Sequence, residues 1–290
     1  MAIDNPYHLA CICPWGVTSI CSMCTPRMFE RVEETEVNVA NGLNIVLLIG
    51  SAPDALQAKN LDLSVFTSRV AINNAWQITP DWDYLVYPED FAGERLPPTP
   101  LLPHQRLIAA SEFVPQQNNF GGFVYAGGTM AFTAGYWALG ALKPDILAFL
   151  GCDMVYATAA GESSHFYGQG TPDPLRADVT LQSLEAKSVR FLSFAHSQNC
   201  AVVNLSQLPE SRLLFPRVSM NEFATQPLCQ DMLNRQSELF DTTVVTRVLQ
   251  AEQELGYMVP SGRYWECEAE FDKTKLSEID HLWLQAMQAA

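Results

Sequence analysis

The segment that decides the fold is Asn44 to Pro53, which reads Asn-Ile-Val-Leu-Leu-Ile-Gly-Ser-Ala-Pro. Its apolar run ends abruptly in small residues and a proline, which is typical of a buried parallel strand that leads into a tight turn. Gly50 can adopt backbone angles that other residues avoid, and it lets a ligand approach the main chain. Because ligands of open α/β sheets bind beyond the carboxyl ends of the strands, this turn is a candidate contact for a phosphate or a nucleotide.

Short apolar segments and helix-like segments alternate between residues 44 and 215. The predicted strands are Ile45–Ile49, Val70–Ile72, Tyr84–Tyr87, Ile146–Leu150 and Ala201–Leu205. The predicted helices are Gly128–Leu142 and Asp178–Asn199, whereas residues 97–120, rich in Pro, Gln and Asn, are predicted to be irregular. This alternation predicts an α/β fold with a mainly parallel, Rossmann-like sheet and helices on both of its faces.

The chain divides into three predicted regions. Residues 1–40 form a Cys-rich N-terminal arm, and residues 41–215 form a nucleotide-binding domain with a lid loop at 157–177. Residues 216–290 form a helical C-terminal extension, with helices at 220–257 and 273–289 and a turn at Pro260-Ser261-Gly262. The extension either completes the nucleotide-binding domain or mediates a homo-oligomer.

Composition excludes several classes of function. Of the 290 residues, 48% are hydrophobic and 17% are charged, so a large core is expected and global disorder is not. A formal net charge of −15 argues against binding a nucleic acid polymer, which requires a basic surface, but not against binding one nucleotide. We find no apolar run of transmembrane length and no signal peptide, so we expect a cytoplasmic protein.

Five loops follow predicted strands or open a predicted helix, and parallel strands would bring them to one edge of the sheet. The backbone amides at the start of the helix Gly128–Leu142 would face an anion. Asn73 could bind ribose hydroxyls or a base, and Asp153 a ribose diol or a metal. Any one of these loops could instead be a simple turn or helix cap. The loops are Gly50-Ser51-Ala52-Pro53, Asn73-Asn74, Pro88-Glu89-Asp90, Gly127-Gly128-Thr129 and Gly151-Cys152-Asp153.

The segment Gly161–Arg176 is a long connection whose glycines and prolines disfavour a helix. Long loops in compact domains are often functional lids. His165 is the best candidate for a general base, because imidazole titrates near neutral pH. Arg176 could offset phosphate charge. The alternative is that His165 only forms hydrogen bonds within an ordered loop.

Residues 44–215 resemble the bacterial sialyltransferases of glycosyltransferase family 42 and the related domain of unknown function 115, which includes 6-hydroxymethyl-pterin pyrophosphokinase-like proteins. The resemblance lies in Ile49–Pro53, Ala71–Trp76, Gly127–Gly140 and Leu150–Tyr156, followed by the His165 loop. It implies a nucleotide or nucleotide-sugar ligand. The positions that it assigns to binding the donor are Gly50, Ser51, Asn73, Gly127, Gly128, Thr129 and Tyr156.

The mechanism that the resemblance implies is transfer of a sugar from the nucleotide-sugar to an acceptor hydroxyl. His165 would deprotonate the acceptor, and Tyr156 would stabilise the leaving phosphate. The chain departs from the family at Gly50-Ser51-Ala52, where the family's Asn is missing, and at Gln169, near which the family's catalytic histidine falls. Two alternatives therefore remain: a Mg²⁺-dependent pyrophosphokinase with Asp153 and Glu89 or Asp90 as metal ligands, and a non-catalytic binding or interaction protein.

Two further patterns suggest metal ligands. Asp81-Trp82-Asp83 matches the Asp-x-Asp of metal-dependent glycosyltransferases but precedes a predicted strand instead of following one. Cys11, Cys13, Cys21 and Cys24 could hold a structural zinc ion or an iron–sulfur cluster, although Cys-x-Cys is tighter than the usual spacing. The alternative for these cysteines is a set of unligated thiols in an irregular arm.

Overall fold

A computed structural model describes residues 42–155, 165–168, 178–225 and 228–287, all within one compact unit, Val39–Ala290. Its centre is a six-stranded sheet in the order β4-β3-β2-β1-β5-β6, in which all neighbouring strands are parallel. The predicted α/β, Rossmann-like fold is therefore confirmed. The strands are β1 Ile45–Ile49, β2 Ser68–Ile72, β3 Tyr84–Val86, β4 Arg106–Ile108, β5 Ile146–Leu150 and β6 Ala201–Asn204.

The strand order places a topological switch point beside β1. The chain leaves β1 towards β2 on one side and later returns to pair β5 on the other side, so Ile49 is in register with both Ala71 and Leu150. The connections that leave β1 and β5 diverge to opposite faces of the sheet, which opens a crevice at the carboxyl ends of these strands.

Both faces of the sheet are buried, as the near-continuous apolar strands predict. Val46 and Leu48 face a core formed with α1 to α4, α7 and α8, while Leu47 and Ile49 face a second core that includes 3-10 helices and residues of α5 and α6. Among the described residues, no helix is long and apolar enough to cross a membrane. The helices are α1 Ala110–Asn118, α2 Phe123–Ala126, α3 Met130–Ala141, α4 Leu184–Ser197, α5 Met220–Thr225, α6 Leu228–Ser237, α7 Thr242–Leu255 and α8 Lys273–Ala286.

The structure corrects three predictions of secondary structure. The helix predicted over Asp178–Asn199 begins only at Leu184, because residues 179–181 form a 3-10 helix and Ser183 caps α4. Residues 97–120, predicted to be irregular, contain β4 and α1, because β4 is a short edge strand and α1 accommodates Pro115 in its interior. The single helix predicted over 220–257 is instead α5, α6 and α7. The last of these begins afresh at Asp241, whose carboxylate accepts hydrogen bonds from the amides of Thr243 and Val244.

The C-terminal helices are joined to the α/β core by a buried polar cluster. The guanidinium of Arg190 in α4 donates from Nε and Nη2 to the carboxylate of Glu252 in α7, each at 2.8 Å. Its Nη1 also donates to the Tyr136 hydroxyl at 2.8 Å, and the indole of Trp283 in α8 donates to Glu252 at 2.7 Å. The cluster orients α7 and α8 against α3 and α4, since every member needs the others to satisfy its polar groups.

Candidate functional site

A cavity of about 1060 Å³ opens at the carboxyl edge of the sheet. Residues at or just beyond the ends of β1, β2, β3 and β5 form one part of its wall, and the first turn of α3 forms another. Its position beside the β1–β5 switch point is the usual place for a ligand in an open α/β sheet. Its volume is sufficient for a ligand as large as a nucleotide.

Each of the five loops singled out in the sequence contributes to the wall of this cavity. The contributing residues are Gly50, Ser51 and Ala52; Asn73 and Asn74; Pro88, Glu89 and Asp90; Gly128 and Thr129; and Gly151 and Cys152. Parallel strand order is the reason, because it delivers the ends of four separated strands to a single edge.

Gly50 is required for a different reason from the one expected. Its φ is not in the left-handed region, whereas Gly151 has a φ of +69°. The two turns instead interlock: Gly50 N donates to Leu150 O at 2.8 Å, and Ala52 N donates to Gly151 O at 3.0 Å. The absence of a side chain at Gly50 allows this contact between the turns that follow β1 and β5.

Asn73 stands at the end of β2 in a conformation that few residues other than glycine adopt. Its φ is +54°, and asparagine tolerates this region better than most side chains. The Oδ1 atom is buried and accepts no hydrogen bond from any described residue. Since a buried carbonyl without a donor is unfavourable, this atom is available to a ligand in the cavity.

The start of α3 is partly occupied by the protein itself. The Gly128 amide donates to Thr180 Oγ1 at 3.0 Å, and Thr129 Oγ1 accepts from the Phe132 amide at 3.3 Å. Asp178 in turn accepts from Thr180 Oγ1 and from the Tyr264 hydroxyl, both at 2.7 Å. A carboxylate of the chain therefore lies near the helix terminus where a phosphate was expected.

Gly127 and Asp153 lie behind the cavity wall. Gly127 follows α2 with a φ of +85°, and a β-carbon added to it would lie 3.1 Å from Lys187 Cγ. Asp153 is only 1% exposed, and its Oδ1 accepts from Asn204 Nδ2 at 3.3 Å. This placement gives Asp153 a partner in β6 and removes it from the group of acids that face the cavity.

The described part of the predicted lid, residues 165–168, rests against the first turn. The Phe166 amide donates to Ser51 O at 3.0 Å, and the His165 ring stacks on Tyr167 with 5.0 Å between centroids. His165 and Tyr167 both line the cavity, which places the imidazole within the site. The other predicted residues of this region, Tyr156 and Arg176, and also Gln169, lie outside the described residues.

The described wall of the cavity is acidic. Its arginines are Arg95 and Arg263, and its carboxylates are Glu89, Asp90, Asp178, Glu266 and Glu268. Arg263 donates to Glu89 at 2.6 Å, and this hydrogen bond raises the pKa of the guanidinium. Arg95 forms no ion pair with any described residue, so it is the arginine of the wall that is free to meet a ligand anion.

The expected metal ligands are not grouped in the described part of the chain. No cluster of three or more His, Cys, Asp or Glu side chains suited to a metal occurs there. Asp83 forms a bidentate pair with Arg69, at 2.9 and 3.0 Å, before β3 and thus at the opposite edge of the sheet from the cavity. Cys11, Cys13, Cys21 and Cys24 lie outside the described residues.

Cys152 reaches the cavity, but its chemistry is that of a neutral thiol. Burial raises its pKa well above the usual range, and the neighbouring Asp153 raises the pKa further. Because the thiolate is the nucleophilic form of cysteine, Cys152 is unsuited to attack on a substrate at neutral pH.

Sequence reasoning missed one side of the cavity. Residues 261–266 of the C-terminal extension line it, held in place by Asn118 Nδ2, which donates to Pro260 O at 2.8 Å. Trp265 lies on this segment with 56% of its surface exposed. The turn Pro260-Ser261-Gly262 was visible in the sequence, but no pattern indicated that it would fold back onto the sheet edge. Thr133 was also missed, although it lies four residues after the helix cap Thr129, on the same face of α3.

Comparisons with protein-family models, with curated proteins and with solved structures gave no match. The site's own geometry therefore carries the functional argument.

Proposed function

We propose that the protein is a nucleotide-sugar-dependent glycosyltransferase, similar in its reaction to the sialyltransferases of family 42. The observation that carries the proposal is the convergence of Ser51, Asn73 and His165 on one cavity at the switch point of a parallel sheet. The cavity is large enough for a nucleotide, and it contains a group that can act as a general base.

In the proposed reaction, an acceptor hydroxyl attacks the anomeric carbon of the donor sugar. A bond forms between the acceptor oxygen and that carbon, while the bond from that carbon to the phosphate oxygen breaks. His165 takes the proton of the hydroxyl, and the nucleotide leaves with the bonding electron pair on its phosphate. Arg95 offsets the phosphate charge, because Arg263 is already paired with Glu89.

The first experiment is thermal denaturation with CMP, CDP, UDP, GDP and ATP, each with and without Mg²⁺. A ligand that binds only the native state raises the midpoint, so stabilisation by CMP or CDP without metal supports the proposal. The Arg95→Gln variant should weaken nucleotide binding about tenfold, because a charge-assisted hydrogen bond is lost. Arg106→Gln is the control, since Arg106 pairs with Glu112 on the surface and does not line the cavity.

The second experiment measures release of CMP from a cytidine-monophosphate sugar. His165→Ala should lower turnover by about 10²–10⁴-fold and leave nucleotide binding intact, because a general base contributes to the chemical step. His104→Ala, an exposed histidine away from the cavity, should retain full activity. Equal turnover by the two variants would refute the role of His165.

A second candidate function is Mg²⁺-dependent pyrophosphate transfer to a pterin, favoured by the acidic wall of the cavity. Glu89 and Asp90 line it beyond β3, and a site with more carboxylates than arginines would bind a triphosphate more readily as its magnesium complex. Stabilisation by ATP only in the presence of Mg²⁺ would favour this reaction over sugar transfer.

A further inference from the structure

Two buried polar side chains of the cavity wall have no partner in the described part of the protein. Asn74, in the 3-10 helix that follows β2, is 7% exposed, and Thr133, in the first turns of α3, is 2% exposed. Both residues line the cavity. Neither the Asn74 amide nor the Thr133 hydroxyl forms a hydrogen bond with any described residue.

This pair, Asn74 and Thr133, is here called the polar floor. Two buried amides away from the cavity have protein partners: in β6, Asn204 Nδ2 donates to Ser211 Oγ at 3.1 Å, and in α6, Gln236 Oε1 accepts from the Val202 amide at 2.9 Å. Unlike Asn73 Oδ1, the polar atoms of this floor are not fully buried, so they are open to the cavity and can bind what enters it.

Apolar side chains share the wall with the polar floor. Ile72, Phe113 and Met130 all line the cavity, with exposures of 4%, 5% and 8%. The ion pair of Arg263 with Glu89, in contrast, is about half-exposed, so these charged groups lie towards solvent. Buried apolar walls with neutral hydrogen-bonding groups suit a flat ring with a polar edge better than they suit a phosphate.

We propose that the polar floor recognises the edge of a planar nitrogen heterocycle that carries a donor beside an acceptor. An asparagine amide offers a donor and an acceptor side by side and can pair with such an edge in a bidentate manner. The Thr133 hydroxyl adds a third hydrogen bond. The inference deepens the proposed function and rests on it, because the ring is either the base of the donor nucleotide or the pterin of the alternative reaction.

The test uses probes that lack phosphate, so that only the ring and its substituents are recognised. Cytidine, guanosine and neopterin are titrated calorimetrically into the full-length protein and into two variants of nearly unchanged shape, Thr133→Val and Asn74→Leu. We expect at least one probe to bind the wild-type protein and to lose about tenfold in affinity in each variant. Binding of cytidine alone identifies a nucleotide base, and binding of neopterin alone identifies the pterin.

A second measurement separates recognition from a structural role. Each variant removes a polar group that has no hydrogen-bond partner in the described protein, so its urea midpoint without ligand should stay close to that of the wild-type protein. A lower midpoint in both variants, binding of no probe, or equal affinity in all three proteins would overturn the inference. Loss of CMP release in His165→Ala is independent of this result, because the probes carry no sugar-phosphate bond. The proposed reaction can therefore fail while recognition of the ring stands.

Discussion

Gly50 packs against Gly151 so closely that a β-carbon added to Gly50 would lie 2.2 Å from the carbonyl oxygen of Gly151. The same carbon would lie 2.6 Å from Cys152 Sγ. Gly50 directly follows β1 and Gly151 directly follows β5, and the cavity opens at the ends of these two strands. The shape of the site therefore depends on a contact between the two backbones. Backbone atoms cannot rotate away as a flexible side chain can.

Gly50→Ala should therefore destabilise the protein by about 2–3 kcal/mol, which is the usual cost of forcing an extra methyl group into a packed site. The measurement is urea denaturation followed by tryptophan fluorescence. Gly93→Ala is the matched control, because a β-carbon at Gly93 meets no atom within 4 Å. A Gly50→Ala midpoint equal to that of Gly93→Ala would contradict the interlocked turns.

Asn73 offers a way to separate folding from binding. Asn73→Gly removes the side chain but keeps a residue that adopts a φ of +54° readily, so the free energy of unfolding should change by less than about 1 kcal/mol. Nucleotide affinity should fall about tenfold, because the buried Oδ1 atom can no longer accept a ligand hydrogen bond. Calorimetric titration alongside urea denaturation distinguishes the two effects, and unchanged affinity would remove Asn73 from the site.

The central part of the fold was predictable because its signals are local. The strands β1 and β5 match their predicted bounds. Each is an apolar run, whose first residue marks the start of the strand, and a glycine directly after the run marks its end. The strand β4 was missed because only Ile108 of its three residues is buried, so it leaves no apolar run. The α1 helix was missed because Pro115 is a strong signal against a helix that tertiary packing nevertheless overrides.

The candidate site was predictable where strands end, where α3 begins and in the loop that carries His165. Loops after parallel strands must meet at one edge, and this rule brought Ser51 and Asn73 together without knowledge of the structure. Tyr264 could not be foreseen, since it reaches Asp178 from a segment 86 residues away in the chain. Contacts between residues so far apart in the chain depend on how α7 and α8 dock, and no local sequence pattern indicates that docking.

Substitution of Glu252 tests how much its buried ion pair with Arg190 contributes to the docking of α7 onto α4. Glu252→Ala should cost about 3–5 kcal/mol, because it leaves the guanidinium of Arg190 buried without its carboxylate. The double variant Arg190→Met with Glu252→Leu should recover much of this loss, since it removes both charges from the interior. Arg106→Ala is the control: it breaks an ion pair of similar length, 3.0 Å, on the surface, and should cost less than about 1 kcal/mol. Urea denaturation of all three variants measures these losses. A loss in Glu252→Ala no larger than that in Arg106→Ala would contradict a buried ion pair between Arg190 and Glu252.

Ionisation of Tyr136, a member of the same cluster, makes the free energy of unfolding depend on pH in the alkaline range. Burial raises the pKa of its hydroxyl from 10.0 to about 12, against the opposing effect of Arg190. The unfolded chain therefore loses this proton before the folded chain does, so the stabilising contribution is complete below pH 10 and is lost as the pH rises towards 12. The full loss for this one group is about 2–3 kcal/mol.

Tyr136→Phe isolates the contribution of that hydroxyl. At pH 8 the variant should be less stable by about 1–2 kcal/mol, because Arg190 loses a hydrogen-bond acceptor at 2.8 Å. Between pH 10 and pH 12 its stability should decline less steeply than that of the wild-type protein, since the group that titrates late is gone. Urea denaturation at pH 8, 10 and 11, with phenolate absorbance recorded in parallel, measures both slopes. Equal slopes would show that the Tyr136 hydroxyl ionises alike in the folded and unfolded chains, contrary to its burial beside Arg190.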